Sequence, residues 1–527
     1  MVIEESSLEK GLPKKTVSLC PECKEKIPAE IKEKDGKVVM EKDCDEHGHF
    51  ESLVWSDVDL YLKAEVFAYD GKGVDNPYYE DATSCPENCG LCNLHKSHTC
   101  LANIDLTNRC NMNCPICFAN ANKQGYVYQP SYEEVVDMLK TLRAEEPVPT
   151  PAVQFSGGEP TVYPNFFEVI EKASELGFSQ IQVATNGIKL ANDEDFARKC
   201  EEAGLHTVYL QFDGLKEEIY IKARGRKMLD VKKKAIENTR KTKPNPLSTV
   251  LVPTIVKTVN DDQVGPILDF AIKNRDVVRG VNYQPVAFTG RIEKEERVKQ
   301  RYTLPDLAKG LEEQTGYLSK DDFYPVPFVT PISQMVSVIK DEPQVAFTSH
   351  PHCGLASYLV IADNGEVRPI TDFVDVEGLM AEMKKKADEW DTFLKKTAVK
   401  IGRKLKTEKG KDKSMVKNFK KYFGDYLKEE ELPGGLTLTE IMKSILTEGD
   451  KDSVGKFAWR TLFVGGMHFQ DDYNYDIERV KRCVIHYATP DGRIIPFCAY
   501  NGGPTYREEV EKKFSVPLDE WRDKDGR

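Results

Sequence analysis

The chain has 527 residues, 40% of them hydrophobic and 30% charged, and a formal net charge of −12. That length exceeds one compact core and suggests about three domains, and the acidic balance argues against nucleic acid as a bulk partner. No run of about 18 apolar residues predicts a membrane span, and the polar start MVIEESSLEKGLPKK lacks a secretory pattern, so a cytoplasmic protein is expected. In a reducing compartment, fourteen cysteines grouped at short spacings point to metal rather than disulfides.

Residues 1–60 carry Cys20-Pro-Glu-Cys23 and Cys44-Asp-Glu-His47, with a strand-like KVVMEK between them. Two such knuckles would close a tetrahedral site for zinc or a rubredoxin-like iron, with a structural role because four ligands leave no open position. His49 is the alternative to His47. Residues 61–100 contain Cys85-x3-Cys89-x2-Cys92 and, eight residues on, Cys100. Those four thiols can fully ligate a 4Fe-4S cubane; a second open, cofactor-binding loop is the alternative. His95 and His98, between the last two cysteines, are expected to be supporting or surface groups.

Residues 101–290 alternate β-rich runs, LANIDL, AVQF, IQVAT, TVYLQF, TVLVPTIV and VRGVNYQPV, with helical patterns such as SYEEVVDMLKTLR and NFFEVIEKASEL. Six such units predict an α/β fold, a parallel sheet with crossover helices. Ser131 and Glu134 form a capping box at the first helix. Just after the first strand comes Cys110-x3-Cys114-x2-Cys117, and Ser156-Gly157-Gly158-Glu159-Pro160 ends the second. Three thiolates in eight residues can hold three irons of a cubane and leave the fourth open to a small molecule. The alternative is a structural zinc or electron-transfer cluster. Cys200 falls in a helical pattern and reads as a buried core thiol.

Residues 291–527 begin irregularly, with a Pro-rich YPVPFVTP connector, and then carry Cys353, Cys483 and Cys498. The last two bracket a hairpin-like CVIHYATPDGRIIPFC, whose turn would set its strands side by side. A further cluster held by these three cysteines and one unidentified group is expected; the alternative is three unrelated buried thiols. Residues 381–424 hold fifteen Lys or Arg against six Asp or Glu, with Met383, Ala387, Trp390, Phe393 and Leu394 on one helical face. A basic amphipathic helix can touch a membrane surface or pack on its own domain.

The Cys110–Cys117 loop followed by the Gly-Gly-Glu-Pro turn resembles the radical S-adenosylmethionine (SAM) superfamily, which implies a partial (β/α)6 barrel. The full expectation is that barrel with an N-terminal metal-binding ribbon and a C-terminal auxiliary iron-sulfur cluster domain. The resemblance implies that SAM chelates the open iron of the Cys110, Cys114 and Cys117 cluster and is cleaved there to a 5′-deoxyadenosyl radical. It further implies that Gly157, Gly158 and Glu159 contact the methionyl amino group, that Asn186, Gln211 and Asp213 face SAM or substrate, and that Arg224 pairs with the SAM carboxylate. Three 4Fe-4S clusters, one of them SAM-binding, and a ferredoxin-like low-potential electron donor complete the set.

Taken with CPENCGLC, LANIDLTNRCNMNCPICFANAN, QFSGGEPT and MHFQDDYNYDIERVKRCVIHY, the chain resembles the archaeal tetraether lipid synthase group. That resemblance implies carbon–carbon coupling of the terminal methyl groups of isoprenoid ether lipids at a long apolar tunnel, at the inner membrane surface. The same group is also read as a dihydropterin methylase of methanopterin synthesis, which asks for a polar pocket and makes the Cys85–Cys92 loop catalytic. A non-enzymatic iron-sulfur electron carrier is the remaining alternative.

Overall fold

The structure is a computed structural model and describes residues 4–290, 292, 295–362, 364–401, 419–428 and 461–525. At the N-terminus, β1 (Lys14–Leu19), β2 (Lys26–Lys34), β3 (Lys37–Cys44) and β4 (Gly48–Trp55) form an antiparallel meander. Its strands alternate buried and exposed residues, as a sheet with one covered face must. Helix α1 (Val58–Val66) follows, capped by Asp57, whose side chain accepts the Leu60 N–H.

The six expected β/α units are present. Strands β5 (Leu101–Thr107), β6 (Ala152–Gly157), β7 (Gln180–Thr185), β8 (Thr207–Gln211), β9 (Ser248–Val252) and β10 (Val278–Pro285) run parallel in that order. Helices α2 (Tyr132–Arg143), α3 (Phe166–Glu175), α4 (Glu194–Glu202), α5 (Glu217–Arg224), α6 (Leu229–Arg240) and α7 (Val264–Lys273) intervene. The α2 capping box between Ser131 and Glu134 is formed. Strands such as β5, buried along nearly its whole length, are covered on both faces, as parallel strands are. Cys200 is buried on α4 within the main apolar core.

The C-terminal residues extend this same sheet at both ends. Strand β12 (Thr461–Met467) runs parallel beside β10 and pairs antiparallel with β11 (Gly354–Ile361). At the other end β13 (Ile485–Ala488) lies parallel to β5 and turns back into β14 (Ile494–Pro496). The expected Cys483–Cys498 hairpin is therefore formed, and it stands beside the first barrel strand. Between them, α8 (Thr330–Lys340) and α9 (Val376–Ile401) pack together. The apolar face of α9 is covered within the chain: Met383 and Ala387 are buried in a second core with Phe373 and Phe423, and Trp390 packs against it. Phe393, Leu394 and most of the basic run beyond them lie outside the described side chains. No described helix is long and apolar enough to cross a membrane.

Candidate active site and metal centres

Strand β5 delivers the chain to the barrel mouth, where Cys110, Cys114 and Cys117 line one cavity of about 250 Å³. The loop is shaped from within. Asn122, in the left-handed region, accepts the Cys110 N–H at 2.9 Å and donates to the carbonyls of Cys110 and Met112 at 2.8 and 3.0 Å. Burial, with the Glu159 charge behind it, pushes the Cys110 thiol up to about 12. Three thiols on one loop can supply three of the four iron ligands of a cubane.

The Gly-Gly-Glu turn is pressed against that loop. Gly158 donates to Thr107 O at 2.7 Å and Glu159 N–H to Arg109 O at 2.9 Å. A Cβ at position 158 would stand 2.3 Å from Arg109 O, and Gly157, at φ +127°, would meet Thr107 O at the same distance. Only glycine permits this approach. The Glu159 carboxylate is turned toward the next strand, accepting from Thr161 and Thr185 hydroxyls at 2.6 and 2.7 Å and from the Asn186 N–H at 2.9 Å. Asn186 reaches the cysteine loop itself, donating to Asn111 Oδ1 at 2.7 Å.

The remaining strand-end residues form one charged network. Arg224, at the end of α5, grips Asp213 through two bonds of 2.7 and 2.8 Å and donates to Ile116 O, between two of the cysteines, at 2.9 Å. Its guanidinium thus ties the cluster loop to the end of β8. Gln211 bonds Asp213 and accepts from Lys232 Nζ at 2.7 Å; Lys232 also donates to Asn186 O at 2.6 Å. Burial brings the Lys232 ammonium down to about 7. Asn122 and Lys232 were not legible in the sequence, because one is the second of two Asn in NANK and the other one Lys among three on α6.

Across the mouth stand groups from both barrel and C-terminal residues, among them Gln154, Tyr209, Gln284, Tyr487 and Asn501. Amides continue beneath them: Gln182 donates to Gln154 at 2.8 Å, and Gln154 to Asn103 at 2.7 Å. Buried Arg507 pairs with Asp105 and donates to Asn501 Oδ1 at 2.8 Å, fixing Asn501 at the rim.

Three further cysteine sets accompany this mouth. Cys20, Cys23, Cys44 and His47 bring their ligand atoms within 4.8 Å of one another, as a single tetrahedral ion requires. His49 instead sits exposed beside Asp43 at 2.9 Å. Cys85, Cys89 and Cys92 line a second cavity, which shares no residue with the mouth. Cys353, Cys483 and Cys498 line a third. That third cavity shares Phe469 and Gln470 with the mouth and Val480 with the second, so the three adjoin in series. Cys100 lines none of them; it packs with Cys483 and Val484, its Sγ 3.4 Å from Ala346 O. His95 and His98 are both buried, His95 against His486.

Residues 104–271 match the radical SAM superfamily domain, and residues 12–56 match the HMPTM N-terminal zinc ribbon domain. The 7,8-dihydro-6-hydroxymethylpterin dimethyltransferase of Methanocaldococcus jannaschii is 46% identical over 514 residues, covering 97% of each chain. The GTP 3′,8-cyclase of Clostridium acetobutylicum is 27% identical over 240 residues, covering 44% of this chain and 73% of the other. The solved structure of Streptococcus suis SuiB with its precursor peptide has a TM-score of 0.34 at 16% identity, over 42% of this chain and 46% of that one.

The resemblance to tetraether lipid synthases, and the lipid coupling and membrane-lipid biosynthesis it implied, are corrected by the full-length relative, a pterin dimethyltransferase. The reason is physical: most of the motifs that carried the resemblance build cysteine loops, the glycine turn and the ribbon, whose spacings reflect metal-ligand and backbone geometry and do not identify a substrate. Identity at this level across both lengths shows that the chain belongs to the radical SAM superfamily, in the same family as the M. jannaschii dimethyltransferase.

Proposed function

We propose that this chain is a radical SAM methyltransferase acting on a dihydropterin. The observation that carries the reading is the 46% identity to the pterin dimethyltransferase over 97% of both chains. The chemistry of the mouth supports it. A pterin is a flat, polar heterocycle, and the side-chain amides of Gln154, Gln284 and Asn501 that line the mouth suit its polar ring edge, with Tyr209 and Tyr487 as aromatic walls. An alkyl chain would set those lining amides against hydrocarbon, which is unfavourable.

In this reading Cys110, Cys114 and Cys117 hold a 4Fe-4S cluster that, when bound, supplies the electron for reductive cleavage of SAM. Gly157, Gly158 and Glu159 bring the turn's backbone to the methionyl group, and Asn186, Gln211 and Asp213 border it. Arg224 acts through Asp213 and Ile116, holding the loop against β8. A ferredoxin-type donor supplies the electron. Cys20, Cys23, Cys44 and His47 hold zinc in a structural site. Cys85, Cys89 and Cys92, and separately Cys353, Cys483 and Cys498, hold auxiliary clusters that relay electrons along the adjoining cavities.

The test is incubation of the anaerobically reconstituted chain with a 6-hydroxymethyl dihydropterin, SAM and a low-potential reductant, followed by mass spectrometry. Pterin carrying one or two added methyl groups is expected. Formation of 5′-deoxyadenosine with unmodified pterin would overturn the substrate assignment while leaving the radical chemistry standing.

A further inference from the structure

Three cysteines leave one iron of a cubane without a thiolate, and the third cavity contains a group suited to that place. Strand β12 ends at Met467, paired across the antiparallel ladder with Gly354. One residue further, the His468 N–H donates to Cys353 O at 3.0 Å. Directly opposed residues in an antiparallel pair project to the same face, with Cβ atoms about 4.5–5.5 Å apart. The His468 side chain therefore shares a face with the Cys353 thiol, and both line the cavity that Cys483 and Cys498 complete.

His468 is 1% exposed, and neither ring nitrogen has a hydrogen-bond partner among the described residues. Buried imidazoles are ordinarily satisfied, so an orphan facing three thiols needs an explanation. We propose that His468 is the fourth protein ligand of an iron-sulfur cubane held by Cys353, Cys483 and Cys498. This rests on the reading that those cysteines hold a cluster.

The chemistry favours the imidazole over the other candidates. A neutral imidazole ligates without losing a proton, whereas the buried, unpartnered Ser349 hydroxyl in the same cavity would have to become an alkoxide. Cys100 packs beside Cys483 but does not line the cavity. Three thiolates and an imidazole also bury one negative charge fewer than four thiolates, which lowers the cost of a desolvated site. Arg479 supports the same arrangement: it hydrogen-bonds the Cys353 sulfur and donates to His468 O at 2.6 Å. A cluster with four protein ligands has no open iron, so this site transfers electrons and does not bind SAM. Imidazole ligation raises cluster potentials, so His468→Cys should lower this one.

The experiment uses the full chain, reconstituted anaerobically without SAM, with 15N-labelled histidine, and electron–nuclear double resonance on the reduced clusters. A histidine nitrogen coupling is expected in the native chain and absent in His468→Cys, which keeps its iron. His468→Ala should lose about one iron per chain on mild oxidation; Cys100→Ala should lose none. A coupling that persists in His468→Cys, or Cys100→Ala releasing the iron that His468→Ala retains, would overturn the ligand assignment. If the triple Cys353→Ala, Cys483→Ala, Cys498→Ala variant kept all its iron, the cluster itself would be refuted, and with it the reading on which the ligand rests.

Discussion

Glu159 accepts a 2.7 Å hydrogen bond from the Thr185 hydroxyl, so the acid of the Gly-Gly-Glu turn is turned toward the neighbouring strand end. Its other oxygen accepts the Asn186 N–H at 2.9 Å. The carboxylate thus joins β6 to β7, and it is the turn's backbone that faces the cysteine loop. Replacing Glu159 with Gln would set an amide donor against one of these donors. A stability loss of about 1–3 kcal/mol is expected, with weaker SAM binding measured by equilibrium dialysis. Unchanged SAM affinity in a destabilised Glu159→Gln chain would show that the turn's position does not depend on this link.

Gly158 has a different vulnerability. A methyl group there would fall 2.3 Å from Arg109 O, and backbone cannot step aside as a flexible side chain can. Overpacking of this kind costs about 1–3 kcal/mol, and the strain lands on the cysteine loop rather than on the sheet. Gly158→Ala should keep its far-ultraviolet circular dichroism yet bind less iron at the barrel mouth. Full iron loading in that variant would mean that the loop adjusts without cost.

How much of this was legible follows from where the information sits. The six strands, their helices and the Ser131 cap depend on local periodicity and composition, which the sequence carries directly. The Cys110–Cys117 loop and the glycine turn likewise stand out by their spacing. Asn122, Lys232 and Arg507 do not, since each acts through a partner that only the fold supplies: Arg507 meets Asp105 across about four hundred residues. The same limit hid the placement of β12 and β13, because alternation identifies a strand but not its neighbour. It also explains the lipid reading. Tyr209 and Asn501, which line the mouth, are scattered along the chain and make no motif.

Asp57 gives a pH dependence. Burial alone would raise its carboxyl, but hydrogen bonds from Lys309, the Leu60 N–H and Lys320 bring it down from 3.8 to about 2. The folded state therefore binds fewer protons than the unfolded chain in that window. The stability it contributes is fully present above 3.8 and is lost as pH falls through about 2. Asp57→Asn keeps a cap but loses the ion pairs with Lys309 and Lys320. Its deficit in urea melts should be on the order of 1 kcal/mol at neutral pH after screening and shrink on acidification. A deficit independent of pH would assign the effect to packing.

The ribbon site reaches beyond the ribbon. Buried Lys42, two residues before Cys44, donates to Leu19 O at 2.7 Å and to Asp472 O at 2.9 Å, and Ser18 donates to Tyr475 O at 2.5 Å. Segment 470–476 is thereby fastened to the metal knuckles, and Gln470 at its start lines two of the cavities. Stripping the Cys3His ion with a chelator, or replacing Cys44 with Ala, should expose residues 12–56 to proteolysis. It should also lower thermal stability, because binding free energy at such sites is folding free energy. Protease resistance unchanged by chelation would show that the meander's core suffices alone.

Two loops share the Cys-x3-Cys-x2-Cys spacing, and the structure separates them. The Cys110–Cys117 loop opens on the mouth with Glu159, Asn186 and Gln211, whereas Cys85, Cys89 and Cys92 line a cavity with none of these residues. The second loop packs against Tyr475, Tyr506 and the Cys498 helix. Both loops can supply three thiolates, but it is the first that Gly157 and Gly158 flank with closely approaching backbone. Cys114→Ala should therefore abolish 5′-deoxyadenosine formation from SAM and reductant, while Cys89→Ala should retain it, slowed only if electrons enter through that cavity. The converse pattern, cleavage lost in Cys89→Ala and kept in Cys114→Ala, would move SAM to the second loop. It would also leave the Gly-Gly-Glu turn with a purely structural role. Because cleavage is read without any pterin present, the outcome tests the radical site independently of the substrate.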